Sequence, residues 1–342
     1  MVAVVQRALK QVLQGVGGNC LSAAIRLWPD ERPNHLRILM YHRIGHADVS
    51  SPLAPCTLSA TPAVFVQQME MLRREFQPVA WNDVAAALQG GPALPPKSVL
   101  VTFDDAYRCF AEHAWPALRM RSIPVVLFVP TAFPDTLDQV FWWDALHWAL
   151  ANRDDRSSVE GPDGSLALAT PDLRRRAFRR LSQHIRQRPF CEGLQFIQTL
   201  LSDVGPAPGG QVLGWDELRR LKHEGVELAP HTSSHPILDR IPPDEAREEI
   251  AASCRDLRRE VSACPSILAY PGGFTDAIVA QLVRELGLEA AVTTRRGANR
   301  LPTCDPIHLR RINVSAGTTA ELLKLQLSLA PQLFNSLAAL TD

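Results

Sequence analysis

The chain has 342 residues, 46% of them hydrophobic and 21% charged, and its 36 basic and 36 acidic side chains cancel to a formal charge of zero. That composition suits one large globular domain or two smaller ones, and it leaves no overall field to gather nucleic acid or an anionic membrane. Seven scattered cysteines, none in a CxxC pair, argue against a zinc ribbon or a disulfide framework and fit a reducing compartment.

At the N-terminus, Val5, Leu9, Val12, Leu13 and Val16 fall on one helical face, with Arg7, Lys10, Gln11 and Gln14 elsewhere. Residues 1–35 therefore read as an added helical segment, packed on the domain or lying on a membrane surface. Arg7 and Lys10 come too early for a secretory h-region, and no stretch approaches a membrane span. The expected location is cytoplasmic, with peripheral contact at the inner face of the membrane through this helix.

A first buried strand is expected at Leu36 to His42, followed by a Pro-containing loop and a helix opened by Thr61 as N-cap with Pro62 in its first turn. Trp81 to Leu88 forms a second, shorter helix. Val99 to Phe103 is an apolar strand ending in Asp104 and Asp105. A helix is expected over 107–121 and a strand from Ile123 to Val129. Residues 135–210 break the rhythm and read as an insertion. It holds Trp142, Trp143 and Trp148 and an Arg-rich helix whose charges form a solvated face. Further strands are expected at Val226 to Pro230, Ile267 to Tyr270, Ala290 to Thr294 and His308 to Val314. A helix at 215–223 precedes the first of these, helices at 243–261 and 275–286 separate the first three, and a last helix covers 318–329. Roughly seven strands alternating with helices imply a parallel sheet covered by helices, either doubly wound or closed into a barrel. Chemistry in both belongs at the C-terminal strand ends.

Two acids closing a strand repel each other unless a cation or a proton sits between them; taken alone, such a pair reads as a turn or cap. His231 and His235, four apart just past a strand, turn toward one point if a helical turn begins there, although Pro236 and the hydroxyl residues favour a tight loop over a long helix; alone they read as surface histidines. Together the two features make a His-His-Asp metal set with open positions and a spare carboxylate, as metal-assisted hydrolysis requires.

Thr102-Phe103-Asp104-Asp105, then His231-Thr232-Ser233-Ser234-His235-Pro236, then Tyr270-Pro271-Gly272-Gly273 resemble, in this order, the motifs of the polysaccharide deacetylases. This is the NodB-homology group, also called carbohydrate esterase family 4, and the last motif is similar to its Tyr-Pro-x-Gly subgroup. The resemblance spans about 36–315, from Ile38-Leu39-Met40-Tyr41-His42-Arg43 to Leu309-Arg310-Arg311-Ile312, with 316–342 left as a C-terminal helical segment. It implies an α/β fold, a distorted (β/α) barrel of about seven parallel strands, and removal of acetyl groups from N-acetylated amino sugars. By motif position, Asp105, His231 and His235 hold a divalent metal, with Zn2+ the first choice and Co2+, Ni2+ or Fe2+ the alternatives. Asp104 becomes the general base, and a backbone N–H among Tyr270, Pro271 and Gly272 faces the oxyanion. His42 is the candidate acid and His308 its rival.

The sequence departs from the family pattern mildly at Ala106, at Ala269, and at Ala229-Pro230, which is looser than the usual small polar pair before His231. Ala106 stands where a Gly often follows the acid pair, and Ala269 stands where an Arg usually positions the base. Arg310 or Arg311 is the candidate replacement. The expected substrate is a saccharide, polymeric or lipid-linked, in exopolysaccharide or glycolipid assembly, with Trp142, Trp143 and Trp148 as stacking surfaces or core. The rival functions are a non-catalytic carbohydrate-binding relative and a deacylase of another amide or ester at the same centre.

Overall fold

The computed structural model describes residues 32–46, 51–134, 136, 138–154 and 157–328. The expected N-terminal amphipathic helix lies outside the described residues. Seven strands form the barrel wall: β1 (His35–Tyr41), β2 (Ser98–Phe103), β3 (Val125–Val129), β4 (Glu227–Pro230), β5 (Ile267–Ala269), β6 (Ala290–Arg296) and β7 (Leu309–Asn313). Their spatial order is β5-β6-β7-β1-β2-β3-β4, and each neighbouring pair is parallel. The first and last strands of that order, β5 and β4, approach each other, so the wall is nearly closed. At this seam the His231 imidazole Nδ1 hydrogen-bonds the carbonyl oxygen of Ala269 at 2.7 Å.

Strand alternation sorts the side chains into two layers. Leu36, Ile38, Leu100, Val126, Phe128, Ile267, Ala269, Val292 and Leu309 fill the interior, joined by Trp81, Val84 and Ala87 of a helix at Trp81–Leu88 that packs against them. Leu39, Tyr41, Val99, Val101, Phe103, Val125 and Leu127 face outward into the helical layer. In β2 this parity puts Leu100, Thr102 and then Asp104 on the inner face. The polar residues therefore start where the apolar filling stops, at the C-terminal mouth.

The chain between β3 and β4 carries helices α1 (Trp142–Ala151), α2 (Pro171–Arg186) and α3 (Phe190–Leu201), plus a small hairpin of Ser158–Gly161 with Gly164–Ala167. The hairpin lies in a part of the insertion where no element is expected from the sequence. Leu146, Ala149, Leu181, Ile185 and Ile197 join the outward-facing barrel residues in one continuous cluster, so the insertion shares the barrel's core. The helix expected over 107–121 starts later, as a π-type turn at Phe110–Ala114 followed by Trp115–Met120. The preceding residues are held elsewhere: Tyr107 bridges to Val212, and Arg108 N–H donates to Gln211 O at 2.8 Å. Among the described residues no helix is long and apolar enough to cross a membrane.

Candidate active site

Asp104 leaves β2 on the inner face, with its N–H bonded to Tyr41 O at 2.9 Å. The backbone then turns sharply, since Asp105 and Ala106 both adopt left-handed conformations, with φ of 73° and 49°. A side chain pays for that conformation, and this is the strained spot that a Gly would relax at position 106. The turn breaks strand parity and lets both carboxylates face the mouth.

Arg311, on the inner face of β7, meets Asp104 in a two-pronged ion pair with distances of 2.7 and 2.8 Å. Its Nε–H donates to Thr293 O at 2.9 Å, and the guanidinium carbon sits 5.9 Å from the centre of the Phe128 ring. Both partners are buried. Burial works to raise the Asp104 pKa, but Arg311, with His231 and His42 nearby, outweighs it and holds the carboxyl at about 2. Arg310, one residue away, points to the opposite face of β7 and donates to Arg296 O at 3.1 Å. Of the two candidate replacements for the absent motif Arg, only Arg311 reaches Asp104.

Asp105 Oδ1 lies 3.5 Å from His231 Nε2 and 3.4 Å from His235 Nε2, and all three residues are buried. The His231–Ala269 bond places a hydrogen on Nδ1, because a carbonyl only accepts. His231 Nε2 therefore faces Asp105; burial works to lower the His231 pKa, but the Asp105 and Asp104 carboxylates outweigh it and raise it. Burial, with help from the neighbouring His231, pushes His235 down to about 4, which keeps its ring neutral. Asp105 Oδ1 has no hydrogen-bond partner. Asp105 Oδ1, His231 Nε2 and His235 Nε2 thus converge on one point, a donor set and spacing that a divalent cation could fill in place of a proton on His231. The residues present fit a metal.

The two histidines converge without a helical turn. Residues 231–236 form a loop in which Thr232 and His235 both have φ of 63°. Thr232 Oγ1 accepts from His235 N–H at 3.1 Å. Glu249, on α4 (Trp215–His223 being the helix before it, and α4 itself Pro243–Val261), accepts from Ser233 N–H, Ser234 N–H and the Ser234 hydroxyl at 2.9, 2.8 and 2.7 Å. Three donors on one carboxylate fix the loop that carries both histidines. Glu249→Ala is expected to weaken metal binding about tenfold, in the range that supporting partners of metal ligands contribute. Chelator competition on the purified variant checks this.

His42 follows β1, half-buried, with its N–H bonded to Ser59 Oγ at 2.9 Å. His308 is not inside a strand; it ends a 3-10 turn at Pro306–His308, before β7, and its Nδ1 pairs with Asp305 at 2.6 Å. Tyr270 packs its ring into the outer layer with Leu238, Ile250 and Val279, and its N–H is used by Val292 O at 3.2 Å. Pro271 and Gly272 continue into a tight turn that needs glycine next. A Cβ on Gly273, at φ 75°, would lie 2.4 Å from the Thr294 backbone nitrogen.

The tryptophans divide. Trp142 faces Arg186, Trp148 is half-buried, and Trp143 packs its ring edge-on against His235 with centroids 4.9 Å apart. Trp143 is only 8% exposed, so it belongs to the wall of the site more than to a sugar-stacking surface. The residues that pin it, Tyr107 and Asp144, and the loop clamp Glu249 carry no sequence signal of their own.

The α/β barrel carries at its mouth an Asp-His-His group that could hold a metal ion. Residues 91–291 match the polysaccharide deacetylase family, and the chain belongs to it. His42 and Arg311 lie outside the matched span. An 80-residue stretch is 32% identical to a poly-beta-1,6-N-acetyl-D-glucosamine N-deacetylase of Escherichia coli K12, a match that spans 23% of this chain and 12% of that protein. Among solved structures, the Streptococcus pyogenes deacetylase PplD in complex with acetate superposes with a TM-score of 0.59 at 20% identity, covering 87% of this chain and 100% of that one. IcaB from Ammonifex degensii gives 0.56 at 18% identity, covering 87% and 98%. At these identities the likeness is one of fold.

Proposed function

We propose that this chain is a metal-dependent hydrolase that removes N-acetyl groups from an amino-sugar-containing saccharide in exopolysaccharide or glycolipid biosynthesis. The observation that carries the reading is the convergence of Asp105, His231 and His235 beside a separately held, ionised Asp104. The E. coli relative, an N-deacetylase of an N-acetylglucosamine polymer, supports the substrate class.

Asp105, His231 and His235 would hold the cation, Zn2+ before Co2+, Ni2+ or Fe2+. Once bound, it would supply Lewis-acid polarisation of the amide carbonyl and of water. Asp104 stays charged and takes the proton of the attacking water. Arg311 fixes the plane of that carboxylate by gripping both oxygens. His42, just past the end of β1, is the proposed acid that protonates the departing sugar amine. Tyr270 N–H is already used, so the Gly272 N–H is the proposed backbone donor to the oxyanion. Water adds to the carbonyl, the C–N bond breaks, and acetate and a free amine leave.

Purified protein is expected to carry about one divalent cation per chain, and Asp105→Ala and His235→Ala are each expected to lose it. Acetylated oligosaccharides and lipid-linked sugars, assayed by mass spectrometry for acetyl loss, test the reaction and separate the two substrate forms. Metal and glycan binding without acetyl loss from any of them would favour the non-catalytic reading.

A further inference from the structure

The two metal-ligand histidines are oriented by different means. His231 is held by its hydrogen bond to Ala269 O. His235 has no equivalent: its Nδ1 is buried and lacks a hydrogen-bond partner. What surrounds its ring is aromatic. Trp143 meets it edge-on at 4.9 Å and Phe141 at 5.6 Å, while Phe141 and Trp143 stack on each other at 4.5 Å with planes 8° apart. Phe133 stacks behind Phe141 at 4.2 Å. The His235 ring can therefore be no better placed than Trp143 is.

Trp143 is fixed by a chain of hydrogen bonds. Its Nε1–H donates to the Tyr107 hydroxyl at 2.8 Å, and the Tyr107 O–H donates to Asp144 Oδ2 at 2.7 Å. Asp144 Oδ1 accepts from Ala54 N–H at 2.6 Å. Asp144 and Tyr107 are almost fully buried, with 1% exposure each. Burial pushes the Asp144 carboxyl up to about 7, with the Tyr107 hydroxyl and the Ala54 N–H working against that rise. A buried carboxylate that costs this much is not explained by packing, since an apolar residue of similar size would fill the space. Its position is explained by what it holds. The chain runs from the loop before the first barrel helix, through the insertion, to the residue two places after Asp105.

We propose that Asp144 is a positioning residue of the metal site, acting through Tyr107 and Trp143 to set the His235 imidazole. Through this chain the insertion forms one wall of the centre. The inference rests on the metal-site reading given above and assigns no role in proton transfer to Asp144.

The test uses the full chain loaded with Zn2+ or Co2+, with affinity measured by chelator competition and the Co2+ absorption spectrum recorded. Tyr107→Phe keeps the ring and removes both hydrogen bonds; Asp144→Asn can no longer accept at both oxygens. Each is expected to weaken metal affinity about 10- to 100-fold and to change the Co2+ spectrum. Leu146→Ala, on the same helix and buried in the same core but outside the chain, is the control. It should lower the melting temperature and leave affinity and spectrum unchanged. If Tyr107→Phe binds metal like the wild type with the same spectrum, the inference fails while the metal site stands. Equal loss of affinity in Leu146→Ala would also overturn it, by showing that general destabilisation suffices. A wild-type chain that binds no divalent cation overturns both readings.

Discussion

Arg311→Met is expected to lower folding stability by about 3–5 kcal/mol, the cost of breaking a buried ion pair by removing one partner. Asp104 would remain with 4% of its side chain exposed and without its paired guanidinium, and Thr293 O would lose its donor. The carboxyl would answer by keeping its proton, because burial alone raises its pKa. Activity should fall with stability, since a protonated Asp104 cannot act as a base. The double variant Asp104→Asn, Arg311→Met should recover much of the lost stability and none of the activity. The pH dependence adds a second signature. A carboxyl depressed to about 2 contributes stability above the unfolded value of 3.8, and this is lost as pH falls through the folded value. Urea unfolding curves of wild type and Arg311→Met should therefore differ at neutral pH and converge in acid. A neutral-pH difference below about 1 kcal/mol, the range of an exposed pair, would show that the pair does not hold the site.

The strands were legible as short, mostly apolar runs with breakers at their ends; β2 (SVLVTF) and β3 (VVLFV) are rich in β-branched residues, whereas β4 (ELAP) has none. The acid pair and the two histidines were legible for the same reason, as polar residues at the ends of apolar runs. Choosing between Arg310 and Arg311 was a question of strand parity, and Leu309 and Ile312 flank them with apolar residues on opposite faces. The sequence alone therefore could not say which Arg faced inward. The tight loop that Pro236 and the hydroxyl residues favour is what forms at 231–236, with left-handed backbone at Thr232 and His235 in place of a helical turn. Glu249 looks like any charge on the polar face of its helix, beside Glu245 and Glu248, until the loop folds onto it. Tyr107 and Asp144 are separated by 37 positions and meet only because the insertion returns to the mouth. Short-range patterns mark strands and their ends. Contacts made by returning chain leave no local trace.

Asp104→Asn is expected to lower the rate of acetyl release by about 10²- to 10⁴-fold, the range for removal of a general base, while metal content stays at the wild-type level. The substitution keeps the side chain's shape but removes its charge, so the water proton loses its acceptor. Asp105, His231 and His235 are untouched, and their ligand atoms lie within 4.8 Å of one another without help from Asp104. The contrast with Asp105→Ala is the informative part: there, metal and activity should disappear together. The two acids sit side by side in sequence, yet one faces Arg311 and the other faces the histidines. Their division of labour follows from that difference in partners. Metal analysis and acetyl release measured on the same preparations decide it. Loss of metal in Asp104→Asn would make Asp104 a ligand and undo the division. Retention of metal with turnover within tenfold of wild type would place the base elsewhere, with His42 the next group to substitute.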